Sequence, residues 1–149
     1  MAGRLYLLNG PNINLLGVRE PHIYGSVTLA DVERDCRAAA AKFGLELVAH
    51  QTNAEFQMIE WLHEARTQAA GVVINPAAWG HYSVAILDAV KMVECPIVEV
   101  HISNLHKRDE EWRTKTLLSA AVTGFISGLG THGYVLGVEH IGYLLSQKK

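Results

Sequence analysis

Polar side chains able to bind or transfer protons follow several apolar runs of this chain. They are Asn9, Asn12, Asn75, His81, His101, Ser103, Asn104 and Arg113. Any one of them alone fits a turn former or a satisfied polar group. Three successive strand ends that carry Asn or His exceed what turns require. The sequence offers no nucleophile with a partner base, no metal-ligand cluster and no phosphate loop, so the set suits proton transfer without a cofactor or a metal.

One predicted strand, Ile97 to His101, places a carboxylate and an imidazole on the same face, because side chains alternate along a strand. A carboxylate within a covered sheet is costly unless it is paired. We therefore expect Glu99 to orient His101 and to favour its imidazolium form, which suits a general acid. A structural pair that only tethers the strand is the alternative. Ile102 and Ser103 then offer consecutive backbone N–H groups to an anion.

A long connection, from about residue 13 to residue 26, follows the first predicted strand. It is bracketed by Gly17 and Gly25 and carries Arg19 and Tyr24. Connections of this length in compact domains are more often functional than idle. We expect a lid that brings a phenol and a guanidinium over Asn12, with Tyr24 as a base whose phenolate the cation favours.

Apolar periodicity predicts the elements that position these residues. The predicted strands are Leu5 to Leu8, Leu45 to Ala49, Val72 to Ile74, Ile97 to His101 and Val122 to Ser127. The predicted helices start at the Thr28 cap, at Glu55, at the Ser83 cap and near Tyr134. The buried stripe of the first helix is expected to run on to Phe43, and a loop is expected before Tyr82. Alternating strands and helices predict one three-layer α/β domain over residues 1–149. Right-handed crossovers bring the strand ends to one edge of its parallel sheet.

Composition narrows the class of partner. The 149 residues carry a net charge of −2 without charge runs, which argues against nucleic acid and membrane surfaces and favours a small molecule. We expect no signal peptide and no membrane span. Cys36 and Cys95 are expected to be buried, unpaired thiols, which fits a reducing compartment and hence the cytoplasm.

Several segments resemble the type II 3-dehydroquinate dehydratases (type II dehydroquinases), and the resemblance spans nearly the whole chain. They are Leu8-Asn9-Gly10-Pro11-Asn12-Ile13-Asn14-Leu15-Leu16-Gly17, Arg19-Glu20-Pro21-His22-Ile23-Tyr24-Gly25, Ile74-Asn75-Pro76, Val98-Glu99-Val100-His101-Ile102-Ser103-Asn104 and Gly128-Leu129-Gly130. The resemblance implies a flavodoxin-like three-layer sandwich with a five-stranded parallel sheet. It also implies trimers that stack into a dodecamer, and cofactor-free dehydration of 3-dehydroquinate to 3-dehydroshikimate in the shikimate pathway or in quinate breakdown.

The resemblance also implies residue roles. Tyr24, aided by Arg19, removes a proton beside the ketone; Asn12 stabilises the enolate through a water; and His101, with Glu99, protonates the departing hydroxyl. The residues implied to hold the substrate are Asn75, Ala77, His81, Asp88, Ile102, Ser103 and Arg113, of which Asp88 approaches the site of a neighbouring subunit.

Departures from the family pattern keep a second interpretation open. Ala77 stands where relatives commonly have glycine, Tyr82 adds bulk beside His81, and Lys115-Thr116 replaces a basic His-Ser. A diverged relative that acts on, or only binds, a similar cyclic hydroxy acid is the alternative. A flavin or nucleotide module would need a phosphate loop leading straight into a helix, and a phosphoacceptor domain would need Asp in place of Asn75.

Overall fold

Parallel strands form the centre of the molecule. The computed structural model describes residues 3–18 and 21–148, without the side chains of residues 23 and 24. In this part of the chain five strands form one sheet in the order β2-β1-β3-β4-β5, with every pair parallel. The strands are β1 (Arg4–Asn9), β2 (Glu46–Gln51), β3 (Gly71–Asn75), β4 (Ile97–His101) and β5 (Gly124–Ser127). This is the flavodoxin-like order, and the predicted fold class is confirmed.

Helices cover both faces of the sheet. They are α1 (Pro21–Tyr24), α2 (Leu29–Ala41), α3 (Glu55–Gln68), α4 (Trp79–Tyr82), α5 (Val84–Lys91) and α6 (His132–Ser146). Leu5 and Leu7 of β1 pack with α2 and α6, whereas Tyr6 and Leu8 pack with α3 and α5. The two cores explain why the strands are apolar on both faces. Within the described ranges, none of the helices has the length and apolarity to cross a membrane.

The predicted start of α2 is confirmed by a reciprocal cap. Thr28 Oγ1 accepts from the Asp31 backbone N–H at 3.2 Å, and the Asp31 carboxylate accepts from the Thr28 N–H at 3.0 Å. These hydrogen bonds lower the pKa of Asp31. Gly44, with φ of 70°, follows the end of the helix, a conformation that glycine adopts readily.

Several local predictions were wrong. The loop predicted before Tyr82 contains α4, because Trp79 packs into the core beside α3 and α5. The connection predicted as a loop over residues 13–26 contains a 3₁₀ turn, Ile13–Leu15, and the short helix α1. Strands β2 and β5 begin one and two residues later than predicted.

Two predicted buried side chains are more exposed than expected. Phe43 lies beyond the end of α2, so the helical periodicity no longer governs it, and it is 40% exposed. Its ring instead covers Gly142 of α6, where an added Cβ would come within 2.4 Å of the ring. Cys36 is buried as predicted, but Cys95 is only half-buried; both thiols are free.

The carboxyl ends of three central strands meet at one edge. Asn9 at the end of β1 pairs in register with Asn75 at the end of β3, and His101 ends β4 opposite Ser127. The chain reverses its direction of winding between β1 and β3, which is where open α/β sheets bind ligands.

Candidate active site

A cleft lies at this edge of the sheet. Of the predicted site residues, the structure brings Asn12, Asn75, Ala77, His81, His101, Ile102, Ser103 and Arg113 to its walls. The sequence did not indicate four others, which are Ile13, Ala78, Leu105 and Arg108. The cleft is therefore walled by amides, imidazoles and guanidinium groups with a few apolar side chains.

The predicted pairing of Glu99 with His101 is confirmed. His101 Nε2 lies 2.6 Å from Glu99 Oε2, and the two side chains are 5% and 0% exposed. A carboxylate can only accept, so Nε2 carries the hydrogen. Nδ1 is then the ring nitrogen that remains for a ligand in the cleft.

A third side chain completes this arrangement. Thr116 Oγ1 donates to the same Glu99 Oε2 at 2.7 Å and accepts from the Leu118 N–H at 3.2 Å. The other carboxylate oxygen, Glu99 Oε1, is buried without a hydrogen-bond partner among the described residues. We call Glu99, His101 and Thr116 the charged network.

His81 presents the second imidazole. Its Nδ1 lies 2.6 Å from the Lys115 carbonyl oxygen, which can only accept, so Nδ1 is protonated. Burial lowers the pKa of His81, and the positive charges of Arg113 and Arg108 act in the same direction. In the neutral ring Nε2 is left as an acceptor. The centroids of the His81 and His101 rings lie 6.3 Å apart.

Asn75 lies on the other face of the sheet from Glu99 and His101, and hydrogen bonds hold its side chain there. Its Oδ1 accepts from the Ala77 N–H at 2.9 Å, so its Nδ2 donates to the Tyr134 hydroxyl at 2.7 Å. Tyr134 must then donate onward, to Asn9 Oδ1 at 2.7 Å. We call Asn9, Asn75 and Tyr134 the amide network.

The amide network is deeply buried. Tyr134 is 0% exposed, and burial raises the pKa of its phenol, so the hydroxyl keeps its proton. Asn9 Nδ2 has no hydrogen-bond partner among the described residues. Asn9 thus supports Asn75 from behind and is absent from the walls of the cleft, although the sequence placed it at the same edge.

Two wall residues adopt left-handed backbone conformations. Asn12 has φ of 72°, a region that asparagine tolerates, and its N–H donates to Asn53 Oδ1 at 2.9 Å. Ala77 has φ of 51°, where a Cβ is strained. Gly10 allows the turn after β1 to lie against the turn after β3, because a Cβ at Gly10 would lie 2.6 Å from the Pro76 carbonyl oxygen.

Two guanidinium groups give the cleft positive charge. Arg113 Nε lies 3.4 Å from Glu110 Oε2, and its guanidinium sits 4.4 Å from the centre of the Trp112 ring. Arg108 also reaches the wall. Two neighbouring guanidinium groups suit an anionic ligand such as a carboxylate.

Several predicted site residues lie elsewhere. Asp88 is exposed on α5, away from the described walls of the cleft. Asn104 caps a 3₁₀ turn by accepting from the His106 N–H. Arg19 and the Tyr24 side chain lie outside the described residues, although Tyr24 belongs to α1. Among the described residues, no group of three His, Cys, Asp or Glu side chains is arranged to hold a metal.

Comparisons with known proteins agree on one family. Residues 3–142 match the family described as dehydroquinase class II. The chain is 54% identical over 141 residues to 3-dehydroquinate dehydratase 2 of Agrobacterium fabrum, which covers 95% of both chains. It is 49% identical over 148 residues to 3-dehydroquinate dehydratase 2 of Pseudomonas putida, covering 99% of both.

A solved structure supports the same relationship. The crystal structure of type II dehydroquinase from Propionibacterium acnes superposes with a TM-score of 0.91 at 43% sequence identity. The match covers 96% of this chain and 98% of that one. The similarity therefore extends over the whole sheet and the cleft at its edge.

Proposed function

The chain belongs to the class II dehydroquinase family, and from this premise we propose how its cleft removes water from 3-dehydroquinate. Membership makes the protein a 3-dehydroquinate dehydratase, a type II hydro-lyase. The observation that supports the mechanism is the buried Glu99–His101 pair, which holds one imidazole in the wall of the cleft at the carboxyl edge of the sheet. The product of the proposed elimination is 3-dehydroshikimate.

The proposed reaction has two proton transfers and needs no cofactor. Tyr24 removes a proton beside the ketone, with Arg19 favouring the phenolate, and the electrons form an enolate. Asn12 stabilises that enolate through a water. The enolate then collapses, the C–O bond breaks, and His101 protonates the departing hydroxyl. Glu99 supports this step because its carboxylate fixes the orientation of the imidazole through the hydrogen bond to Nε2.

The remaining wall residues are proposed to hold the substrate. A carboxylate fits the backbone N–H groups of Ile102 and Ser103 together with the guanidinium of Arg113. The neutral His81 offers an acceptor to a substrate hydroxyl. Asn75 can offer the second hydrogen of Nδ2 and the second lone pair of Oδ1, because Tyr134 and Ala77 use one of each. The backbone at Ala77 approaches the same ligand.

The wider setting is also a proposal. Because Asp88 is exposed on α5, its predicted role at a neighbouring site requires an oligomer, and we propose trimers assembled into a dodecamer. Light scattering of the purified protein tests this. We retain one domain over residues 1–149, a cytoplasmic location, and a role in shikimate biosynthesis or quinate breakdown as further proposals.

The decisive experiment adds 3-dehydroquinate to the purified protein and follows the ultraviolet absorbance of the conjugated enone product. We expect rapid product formation, and almost none with Tyr24→Phe purified in the same way, which also controls for host enzymes. A folded protein that binds the substrate without forming product would favour the diverged relative that only binds a similar cyclic hydroxy acid.

A further inference from the structure

We propose that Thr116 is a positioning residue for the proton donor of the cleft, acting on His101 through Glu99. The proposal rests on the dehydration proposed above and adds a residue that touches neither substrate nor imidazole. Thr116 is not among the described residues that line the cleft. Its influence must therefore pass through the carboxylate that it contacts.

The direction of the hydrogen bonds supports this role. The Leu118 N–H can only donate, so it takes a lone pair of Thr116 Oγ1, at 3.2 Å. The hydroxyl proton is then free to point at Glu99 Oε2, 2.7 Å away. The backbone of a 3₁₀ turn, Leu118–Ala120, thus fixes the hydroxyl as a donor toward the carboxylate.

Glu99 needs such a donor. It is 0% exposed, and one of its oxygens, Oε1, has no partner among the described residues. Its orientation therefore depends on Oε2, which receives both His101 Nε2 and Thr116 Oγ1. Without the hydroxyl, a single contact would hold both the carboxylate and the imidazole.

The segment that carries Thr116 is itself anchored to the cleft. The preceding carbonyl, Lys115 O, accepts from His81 Nδ1 at 2.6 Å, and the following N–H, of Leu117, donates to the Gly80 carbonyl at 2.8 Å. Three consecutive residues therefore connect both imidazoles of the cleft. A shift of this segment would move His81 and His101 together.

The test compares Thr116→Val with Thr116→Ser in steady-state dehydration of 3-dehydroquinate. Valine keeps the shape and removes the donor, whereas serine keeps the hydroxyl. We expect roughly ten-fold lower kcat with little change in KM for Thr116→Val, because general acid catalysis contributes about 10²–10⁴-fold and only its orientation is disturbed. Thr116→Ser should retain most of the activity. A proportional rise in KM with unchanged kcat would overturn the proposal.

A double-mutant cycle separates positioning from a general structural effect. If Thr116 acts through Glu99, Thr116→Val should cost little further kcat in a Glu99→Gln background. An equal loss in both backgrounds would overturn the proposal. Ser119→Ala is the matched control, because Ser119 Oγ donates to the Thr116 carbonyl at 3.1 Å in the same turn without reaching Glu99. It should leave activity unchanged.

An NMR measurement tests the role of Thr116 without depending on turnover. The 2.6 Å contact should give the His101 Nε2 proton a downfield NMR resonance in the unliganded protein, assigned by its loss in His101→Asn. We expect this signal to persist in Thr116→Ser and to shift or broaden in Thr116→Val. An unaltered signal in the valine variant would overturn the role of Thr116, whereas an inactive wild-type protein with the expected signals would count against the proposed function alone.

Discussion

The charged network and the amide network approach the cleft from opposite faces of the same sheet. Glu99 and His101 lie on the face covered by α3 and α5, while Asn9 and Asn75 lie on the face covered by α2 and α6, where Tyr134 reaches them. Each network holds one wall residue in place, His101 or Asn75, through buried groups that lie hidden from the cleft. They differ in what those hidden groups can do with a proton.

The charged network contains groups that can exchange a proton with a ligand. Its imidazole has one nitrogen bound to Glu99 and the other left for the cleft. The amide network contains no group that ionises near neutral pH, because burial raises the pKa of Tyr134 and amides do not titrate. We infer that the first network serves the chemistry and the second serves the shape of the site.

The largest expected effect comes from removing the imidazole. His101→Asn should lower kcat by roughly 10²- to 10⁴-fold, the usual contribution of a general acid, because no other side chain of the charged network faces the cleft. The measurement is the enone absorbance under saturating substrate. Thermal unfolding should confirm that the variant is folded. A kcat within two-fold of wild type would refute the assignment of chemistry to this network.

Tyr134→Phe should show the opposite signature. Loss of the hydroxyl leaves Asn9 Oδ1 and Asn75 Nδ2 without their partner in a dry environment, which should lower the free energy of unfolding by about 2 kcal/mol. Chemical denaturation measures this value. Because Tyr134 is fully buried and is not among the described residues that line the cleft, we expect kcat to change less than ten-fold.

The matched control for Tyr134 lies on the same helix. Tyr143 of α6 is 54% exposed, so Tyr143→Phe should leave the free energy of unfolding nearly unchanged. If the two phenylalanine variants were equally stable, the amide network would not have the structural role that its geometry suggests. If Tyr134→Phe lost activity as severely as His101→Asn, the division between the networks would be wrong.

Acid should act on His81, whose ring lies near that of His101 in the wall of the cleft. Its pKa is lowered by burial, so the unfolded chain binds a proton at higher pH than the native protein does. Stability from this group is therefore complete above the unfolded value of about 6.5 and is lost as the pH falls below it. We expect urea midpoints to fall between pH 7.5 and pH 5, with a shallower fall in His81→Gln. Parallel profiles for the two proteins would contradict this.

The sequence could predict the charged pair but not the rest of either network. Glu99 and His101 lie two residues apart, and the period of a strand alone puts them on one face. Tyr134 lies 59 residues from Asn75, so their contact depends on how α6 lies on the sheet. Thr116 and Arg108 lie in irregular connections without periodicity, where the sequence carries no signal for direction. Alternating strands and helices with right-handed crossovers predicted a parallel sheet with its strand ends at one edge, whereas the flavodoxin-like arrangement was implied by the family resemblance.

The smallest expected effect concerns the turn beside Asn75. Ala77 has φ of 51°, a region that costs an L-residue about 1–2 kcal/mol. Ala77→Gly should relieve this strain but should lose part of the gain to the greater freedom of glycine in the unfolded chain. We expect a net gain of about 0.5 kcal/mol in the free energy of unfolding. The Ala77 N–H still donates to Asn75 Oδ1 in the variant, so the amide network should stay intact and kcat should change little.

A loss of stability would mean that the Ala77 methyl makes a packing contribution larger than the strain. A large change in KM without any change in stability would show instead that this methyl, on the wall of the cleft, touches the substrate.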